Sequence, residues 1–250
     1  MKRVIIVQAR MSSTRLPGKV LKDVGGRPML AQQVRRLRQF SAADDLVIAT
    51  TTSPADDAIV ALARDLSVAW FRGSEDDVLG RYVGAARQAQ AEVVVRVTAD
   101  CPLIDPEVGD RVIQELLEHA GDTDYASNVL KRTYPQGLDV EAMFFDTLMR
   151  LDRLARSPSA REHVTTFLRA ERPEIFLCRS IEDTQNNSDL RWTVDEEPDL
   201  QLVRTLYGEL NLGERAVPYR EIISHVRAHP ALASLNIGVK RWQPGVKAIS

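Results

Sequence analysis

Val4-Ile5-Ile6-Val7-Gln8-Ala9-Arg10-Met11-Ser12-Ser13-Thr14-Arg15-Leu16-Pro17-Gly18-Lys19 runs from a block of branched apolar residues straight into a polar, cation-bearing stretch. Four such apolar residues in a row predict a strand buried on both faces, as in a parallel sheet, and the polar run predicts a loop at its carboxyl end. In open α/β sheets that edge is where ligands bind. The loop holds Arg10, Arg15 and Lys19 beside small residues whose backbone amides can turn toward an anion, and Pro17-Gly18 sets a tight turn. Any one of these cations alone reads as a surface residue after an edge strand. Together, at a strand exit, they suit a polyphosphate. The spacing is neither the G-x-x-x-x-G-K-[ST] loop nor the G-x-G-x-x-G fingerprint.

The stretch resembles the signature of the sugar-activating nucleotidyltransferases, most closely that of the cytidylyltransferases making CMP-activated acidic sugars. Their pattern is a strand, an Ala-Arg pair, Gly/Ser-Ser/Thr-Arg-Leu-Pro-Gly-Lys and an apolar residue, which Gln8 to Lys19 matches nearly in full. Ser12 departs from it, standing where glycine is common, so the backbone approaches a phosphate less closely there. The resemblance implies nucleotide contacts from Ala9, Arg10, Met11, Ser12, Ser13, Arg15 and Lys19, with Arg10, Arg15 and Lys19 on the triphosphate and the leaving pyrophosphate.

Composition bounds the rest. Of 250 residues, 44% are hydrophobic and 27% charged, an ordinary globular balance that excludes disorder. A net charge of -2 leaves no electrostatic case for nucleic acid or a membrane surface as partner, so phosphate chemistry must use local cations. Cys101 and Cys178 are too few and too far apart for a disulfide framework or a zinc site. With no signal peptide pattern and no long apolar run, a cytoplasmic protein is expected.

Helical spacing is expected over 28–40, after the Gly25-Gly26 turn, and over 54–66 with Ser53 as its cap. Between them, 46–49 reads as a strand that delivers Thr50 to its carboxyl end; 68–71 reads as the next strand. Arg72-Gly73-Ser74-Glu75-Asp76-Asp77-Val78-Leu79-Gly80-Arg81 opens a helix, with acidic residues placed in its first turn, where they favour the dipole. The run is also similar to a family segment near the base and ribose, which implies that Arg72, Ser74 and Arg81 face the nucleotide. The most strand-like segment, 93–97, is expected at the sheet's centre, delivering Asp100 to its tip. That carboxylate, fixed by Pro102 nearby, makes a good metal ligand, and it is not needed as a helix cap because Asp105-Pro106 supplies one for 106–120. Its segment resembles the family's Gly/Ala-Asp-x-Pro motif, whose aspartate binds magnesium.

In the middle third, 124–127 reads as a short strand, 128–137 has no period and 138–143 alternates like a half-exposed strand. Asp139 and Glu141 would share its solvated face. Further segments read as helices at 145–155 and 160–170, a strand at 175–178, one more strand leading to Asp195, and helices at 200–210 and 219–228. The resemblance implies dimer contacts and acceptor contacts in this third, from Tyr134, Gln136, Asp139 and Glu141. Arg161-Glu162-His163 is similar to a run in the subfamily named after spore-coat polysaccharide biosynthesis, implying acceptor contacts there too. Asp195 has an alternative as a helix cap, and the resemblance makes it the second magnesium ligand.

These readings assemble into a Rossmann-like α/β three-layer sandwich over 1–250, mostly parallel, with an inserted β-containing arm at about 125–190 and a helical tail at about 211–250. The function implied is magnesium-dependent transfer of CMP from CTP to a small acidic acceptor by a homodimer, with Arg10, Lys19 and Asp100 at the chemistry. The acceptor class stays open between sugar acids and phosphorylated or phosphonylated compounds. Two other classes also stay open. A metal-dependent glycosyltransferase would use an Asp-x-Asp pair, which Asp122-Thr123-Asp124 spells just past a helix-ending glycine. A non-catalytic nucleotide-binding subunit would keep the amino-terminal loop alone.

Overall fold

Val4 to Val7 are buried and lie within β1 (Arg3–Gln8). The computed structural model describes residues 1–239, so the last part of the expected tail, 240–250, lies outside the described residues. Short β2 (Asp23–Val24) and β3 (Arg27–Pro28) form a hairpin around Gly25 and Gly26, both at positive φ, and lead into α1 (Met29–Leu37). The chain continues through β4 (Asp45–Thr51), α2 (Asp57–Asp65), β5 (Ala69–Gly73), α3 (Val78–Gln88), β6 (Val93–Thr98) and α4 (Pro106–Glu118). Then come β7 (Tyr125–Ser127), β8 (Glu141–Phe144), α5 (Phe145–Leu154), α6 (Pro158–His163), β9 (Cys178–Ser180), α7 (Glu197–Glu209), α8 (Tyr219–Ala228) and α9 (Pro230–Ser234).

Seven strands form one sheet in the order β5-β4-β1-β6-β8-β7-β9, parallel except where β8 pairs antiparallel with β6 and β7. Successive strand residues face opposite sides, and both sides are covered. Ile5, Val7, Val95 and Val97 pack with α1, α4, α7 and α8, while Val4, Ile6, Val47 and Val94 pack with α3 and α5. This is the mostly parallel three-layer α/β sandwich expected, with β6 at the centre. The segment 125–190 contributes the sheet's three outer strands.

Register sets the site. Gln8 lies beside Ala49 and Thr98, so β1 and β6 end together, β4 runs two residues further to Thr51, and their loops open at one edge.

Four local expectations change. Ser53 makes no side-chain cap bond, and Pro54–Asp56 forms a 3-10 turn before α2. The helix expected at 160–170 stops at His163 because Val164 turns to φ 55 and ψ -62, after which Phe167–Glu171 forms a π-helical turn. The strand expected at 175–178 starts only at Cys178, since the Leu177 carbonyl accepts the Asp124 and Tyr125 amides and so begins pairing with β7. Residues before Asp195 form no strand beyond one bridge, Gln136 with Arg191.

Candidate active site

Past Gln8, the Ala9 amide still bonds to the Ala49 carbonyl at 3.1 Å, and then the chain leaves the sheet. The loop is closed by the Gly18 amide, which donates to the Met11 carbonyl at 3.0 Å with Gly18 at φ 65, a conformation glycine adopts without a Cβ penalty. It is anchored by buried Asp56, which accepts the Met11 amide at 2.7 Å, the Thr50 hydroxyl at 3.0 Å and the Thr51 amide at 3.1 Å. Burial alone would raise the Asp56 pKa, but those donors more than offset it and the carboxyl titrates low. Thr50 therefore braces the loop from beneath.

Each loop cation holds a carboxylate. Arg10 meets Glu75 at 3.3 Å, and the Ser12 hydroxyl donates to the same carboxylate. Arg15 meets Asp195 at 3.1 Å and Glu196 at 3.2 Å. Lys19 Nζ lies 3.0 Å from Asp195, 3.5 Å from Asp100 and 2.7 Å from the Val194 carbonyl. The two aspartates, distant in sequence, meet because the Val194 amide donates to the Asp100 carbonyl at 2.8 Å. Helix capping claims neither side chain. Asp105 caps α4, and Glu196 with Asp199 forms the capping box of α7. Burial raises the Asp195 pKa, but Lys19, Arg15 and Arg191 lower it further, so it stays ionised.

The loop is one wall of a cleft of about 740 Å³. Its far half is built on charged pairs. Arg96, on β6, binds Glu141 on β8, donates to Gln8 at 3.1 Å and lies 5.7 Å over the Tyr82 ring. Glu141 is 4% exposed; the Tyr125 hydroxyl donates to it at 2.7 Å, and despite burial the cations Arg96 and Arg169 and these donors hold its pKa low. Beside this pair, Arg132 grips Asp139 through bonds of 2.6 and 2.8 Å. Neither carboxylate lies on the solvated strand face expected.

Of the residues singled out in the sequence, Ala9, Arg10, Ser13, Arg15, Lys19 and Asp100 line the cleft. So do Arg81, Gln136, Asp139, Glu141, Glu162, His163 and Asp195. Arg81 is buried there, donates to the Ser74 carbonyl at 2.9 Å and keeps an unpartnered Nε.

The others lie outside the lining. Met11 packs under Gly18, Ser12 bonds Glu75, and Ser74 accepts the Asp77 amide at 3.2 Å. Arg72 clasps the Thr51 and Ser53 carbonyls at 2.7 Å each and Asp57 at 2.6 Å. Tyr134 is a core residue that bonds Arg111 at 2.6 Å and packs against Tyr219, and Arg161 is spent on Asp77 and Asp152. In the Asp-x-Asp run, Asp124 pairs with Arg150 at 2.6 Å and Asp122 with Arg179 at 3.6 Å, both outside the cleft.

Gln8, Arg96, Arg132 and Arg169 line the cleft and were not anticipated. Arg96 carried a readable signal, a lone charge inside an apolar strand; the others carried none.

The profile of the family described as cytidylyltransferase matches residues 4–207. An uncharacterized protein of Methanocaldococcus jannaschii is 34% identical over 243 residues, covering 96% of this chain and 97% of its own length. The spore coat polysaccharide biosynthesis protein SpsF of Bacillus subtilis is 33% identical over 239 residues, covering 92% and 96%. A 3-deoxy-manno-octulosonate cytidylyltransferase of Chelativorans sp. is 37% identical over 131 residues, covering 51% and 50%. Among solved structures, a cytidylyltransferase from Leptospira borgpetersenii superposes with a TM-score of 0.88 at 29% identity, covering 97% of this chain and 99% of that one.

Proposed function

The chain belongs to the cytidylyltransferase family and is a nucleotidyltransferase, and from that premise we propose that it moves CMP from CTP to a hydroxyl of a small acidic acceptor, releasing pyrophosphate. The supporting observation is that Arg10, Arg15 and Lys19 share one cleft with Asp100 and Asp195 where the parallel strands end. The names of the Bacillus and Chelativorans relatives favour a sugar acid as acceptor, for a surface polysaccharide or glycoconjugate. A phosphorylated or phosphonylated acceptor is the competing class. We also propose a cytoplasmic homodimer, on the likeness of 128–137 to the family's dimer segment; light scattering should give about twice the 28.0 kDa chain mass, and the mass of a single chain would contradict it.

Both substrates and products carry dense negative charge, so the rate comes mainly from alignment and charge neutralisation. Arg10 and Arg15 are 40% and 44% exposed and can exchange Glu75 and Glu196 for phosphate oxygens with little rearrangement. Lys19, nearly buried, offers its ammonium from the cleft floor.

Asp100 and Asp195 suit a divalent cation. Both carboxylates reach one ammonium, and among the described residues no group of three or more His, Cys, Asp or Glu side chains forms a metal cage. Magnesium favours so sparse a set, because phosphate oxygens and waters complete its octahedron. Held there, it would neutralise charge on the α-phosphate and lower the pKa of the acceptor hydroxyl.

Pyrophosphate release with CTP, ATP, GTP and UTP, across sugar acids and phosphorylated acceptors, tests the reading. CTP-dependent release with a sugar acid is expected, and no release with any acceptor would overturn it. Asp100→Asn and Asp195→Asn should fold yet lose turnover at every magnesium concentration. A wild-type magnesium response in either variant removes that carboxylate from the site.

A further inference from the structure

Asp195 is held from two directions. Its Oδ1 lies 3.0 Å from Lys19 Nζ, and its Oδ2 accepts from Arg191 at 2.7 Å and lies 3.1 Å from Arg15. The two arginines differ in what they can give up. The Arg15 side chain is 44% exposed and can turn toward a phosphate, whereas that of Arg191 is 3% exposed and lies outside the cleft lining.

Arg191 is itself fixed. Its Nε and Nη2 donate to Asp199 at 3.0 and 3.3 Å, and Asp199 also accepts the backbone amides of Asp195 at 2.9 Å and Glu196 at 3.1 Å. One buried ion pair thus sets both the backbone and the side chain of Asp195. Asn236, which follows α9, closes the pair from the far side. Its Nδ2 donates to the Asp199 carboxylate at 2.8 Å and to the Arg191 carbonyl at 3.0 Å.

Stability alone does not account for this arrangement. The capping box of α7 needs only Glu196 and Asp199, and Asp195 precedes it. Arg191 Nη1 is buried without a hydrogen-bond partner among the described residues, a cost that an apolar side chain of similar volume would avoid. What the guanidinium supplies, and such a side chain could not, is a rigid fork spanning two carboxylates.

We propose that Arg191 is the positioning residue of Asp195, and that Asn236 extends the site into the carboxyl-terminal segment by holding Arg191 and Asp199 in place. The inference rests on the transfer reading above, with Asp195 as one ligand of the divalent cation. With Oδ2 pinned by Arg191, Oδ1 is the oxygen presented to the cleft. When Arg15 and Lys19 turn to the triphosphate, Arg191 stays, so the carboxylate keeps its orientation instead of following the departing cations. Contacts that orient a metal ligand in this way tune metal affinity without touching the ion.

Arg191→Lys tests this, because it keeps the charge and removes the fork. Two readouts are compared with wild type: the magnesium concentration giving half-maximal turnover, and the gain in CTP affinity that magnesium produces, by calorimetry without acceptor. Half-saturation should rise roughly 10–100-fold, with most of the gain in affinity lost. Asn236→Ala should move both the same way by less. Leu151→Ala, a core truncation in α5 on the other face of the sheet, should lose stability and leave both readouts at wild type. Wild-type values in folded Arg191→Lys overturn the inference, as do equal shifts in Leu151→Ala, which would mark a general loosening. If Arg191→Lys does not fold, Asn236→Ala decides, and wild-type values there are negative. Wild-type protein that releases no pyrophosphate overturns the transfer reading, while calorimetry still reads the placing of Asp195; wild-type protein without the magnesium gain overturns the inference.

Discussion

Lys19 sits among three oxygens, those of Val194, Asp195 and Asp100. Burial pulls its pKa down, Asp100 and Asp195 pull it up by more, and it remains an ammonium. Removing it should weaken CTP binding, since a charge-assisted bond contributes about 1.5–3 kcal/mol, roughly ten-fold or more in affinity. Calorimetry on Lys19→Ala checks this, and wild-type affinity with wild-type turnover would refute a triphosphate role. Lys19, Arg10, Arg15 and Asp100 were legible because their motifs are local. Thr50 and Arg72 were not, because a threonine or arginine at a strand end looks the same whether it meets a ligand or braces a neighbouring loop. In the fold Thr50 bonds Asp56, and Arg72 ties two carbonyls.

At the scale of elements, apolar periodicity marked β1, β4, β6, α1 and α4 well, since each buries a regular face. The failures share a cause. The stretch before Asp195 is extended, yet its amides go to partners remote in sequence: Trp192 and Thr193 donate to the Gln136 carbonyl, and Val194 donates to Asp100. Gly137 permits that approach. It lies at φ 110, and an added Cβ would stand 2.6 Å from the Thr193 nitrogen and 2.7 Å from the Trp192 carbonyl carbon. Gly137→Ala should therefore cost about 1–3 kcal/mol or more through strain and backbone collision, and also displace Asp195. Urea denaturation should report the loss of stability, with turnover falling further than stability alone explains. A wild-type midpoint would show that the backbone there can yield.

For the whole molecule, the carboxyl-terminal helices close the layer above α1 and α4, and a buried pair joins them. Arg36, 4% exposed, donates to the carbonyls of Ile104 at 2.5 Å and Val217 at 3.2 Å and lies 3.6 Å from Asp105, which also accepts the Tyr219 amide. Burial lowers the Arg36 pKa and raises that of Asp105, so each is pushed toward its neutral form and the pair orders the layer at a desolvation cost. Arg36→Met should destabilise by about 3–5 kcal/mol by leaving a buried carboxylate without its cation, with the Arg36→Met, Asp105→Asn double variant, which removes the charge but keeps a capping oxygen, recovering part of it. Chemical denaturation of both checks the order, and equal stability of wild type and single variant would contradict it. By itself the sequence determined the layers, the central strand, the edge at which the amino-terminal cationic loop opens and the family likeness, because apolar periodicity and short motifs act within a few residues. Only the tertiary structure decided that Asp195 reaches Asp100, that Arg96 and Glu141 floor the cleft, and that His163 turns into it. Those outcomes depend on hydrogen bonds and charge pairs between segments tens of residues apart, and on a strained turn that local propensity opposes.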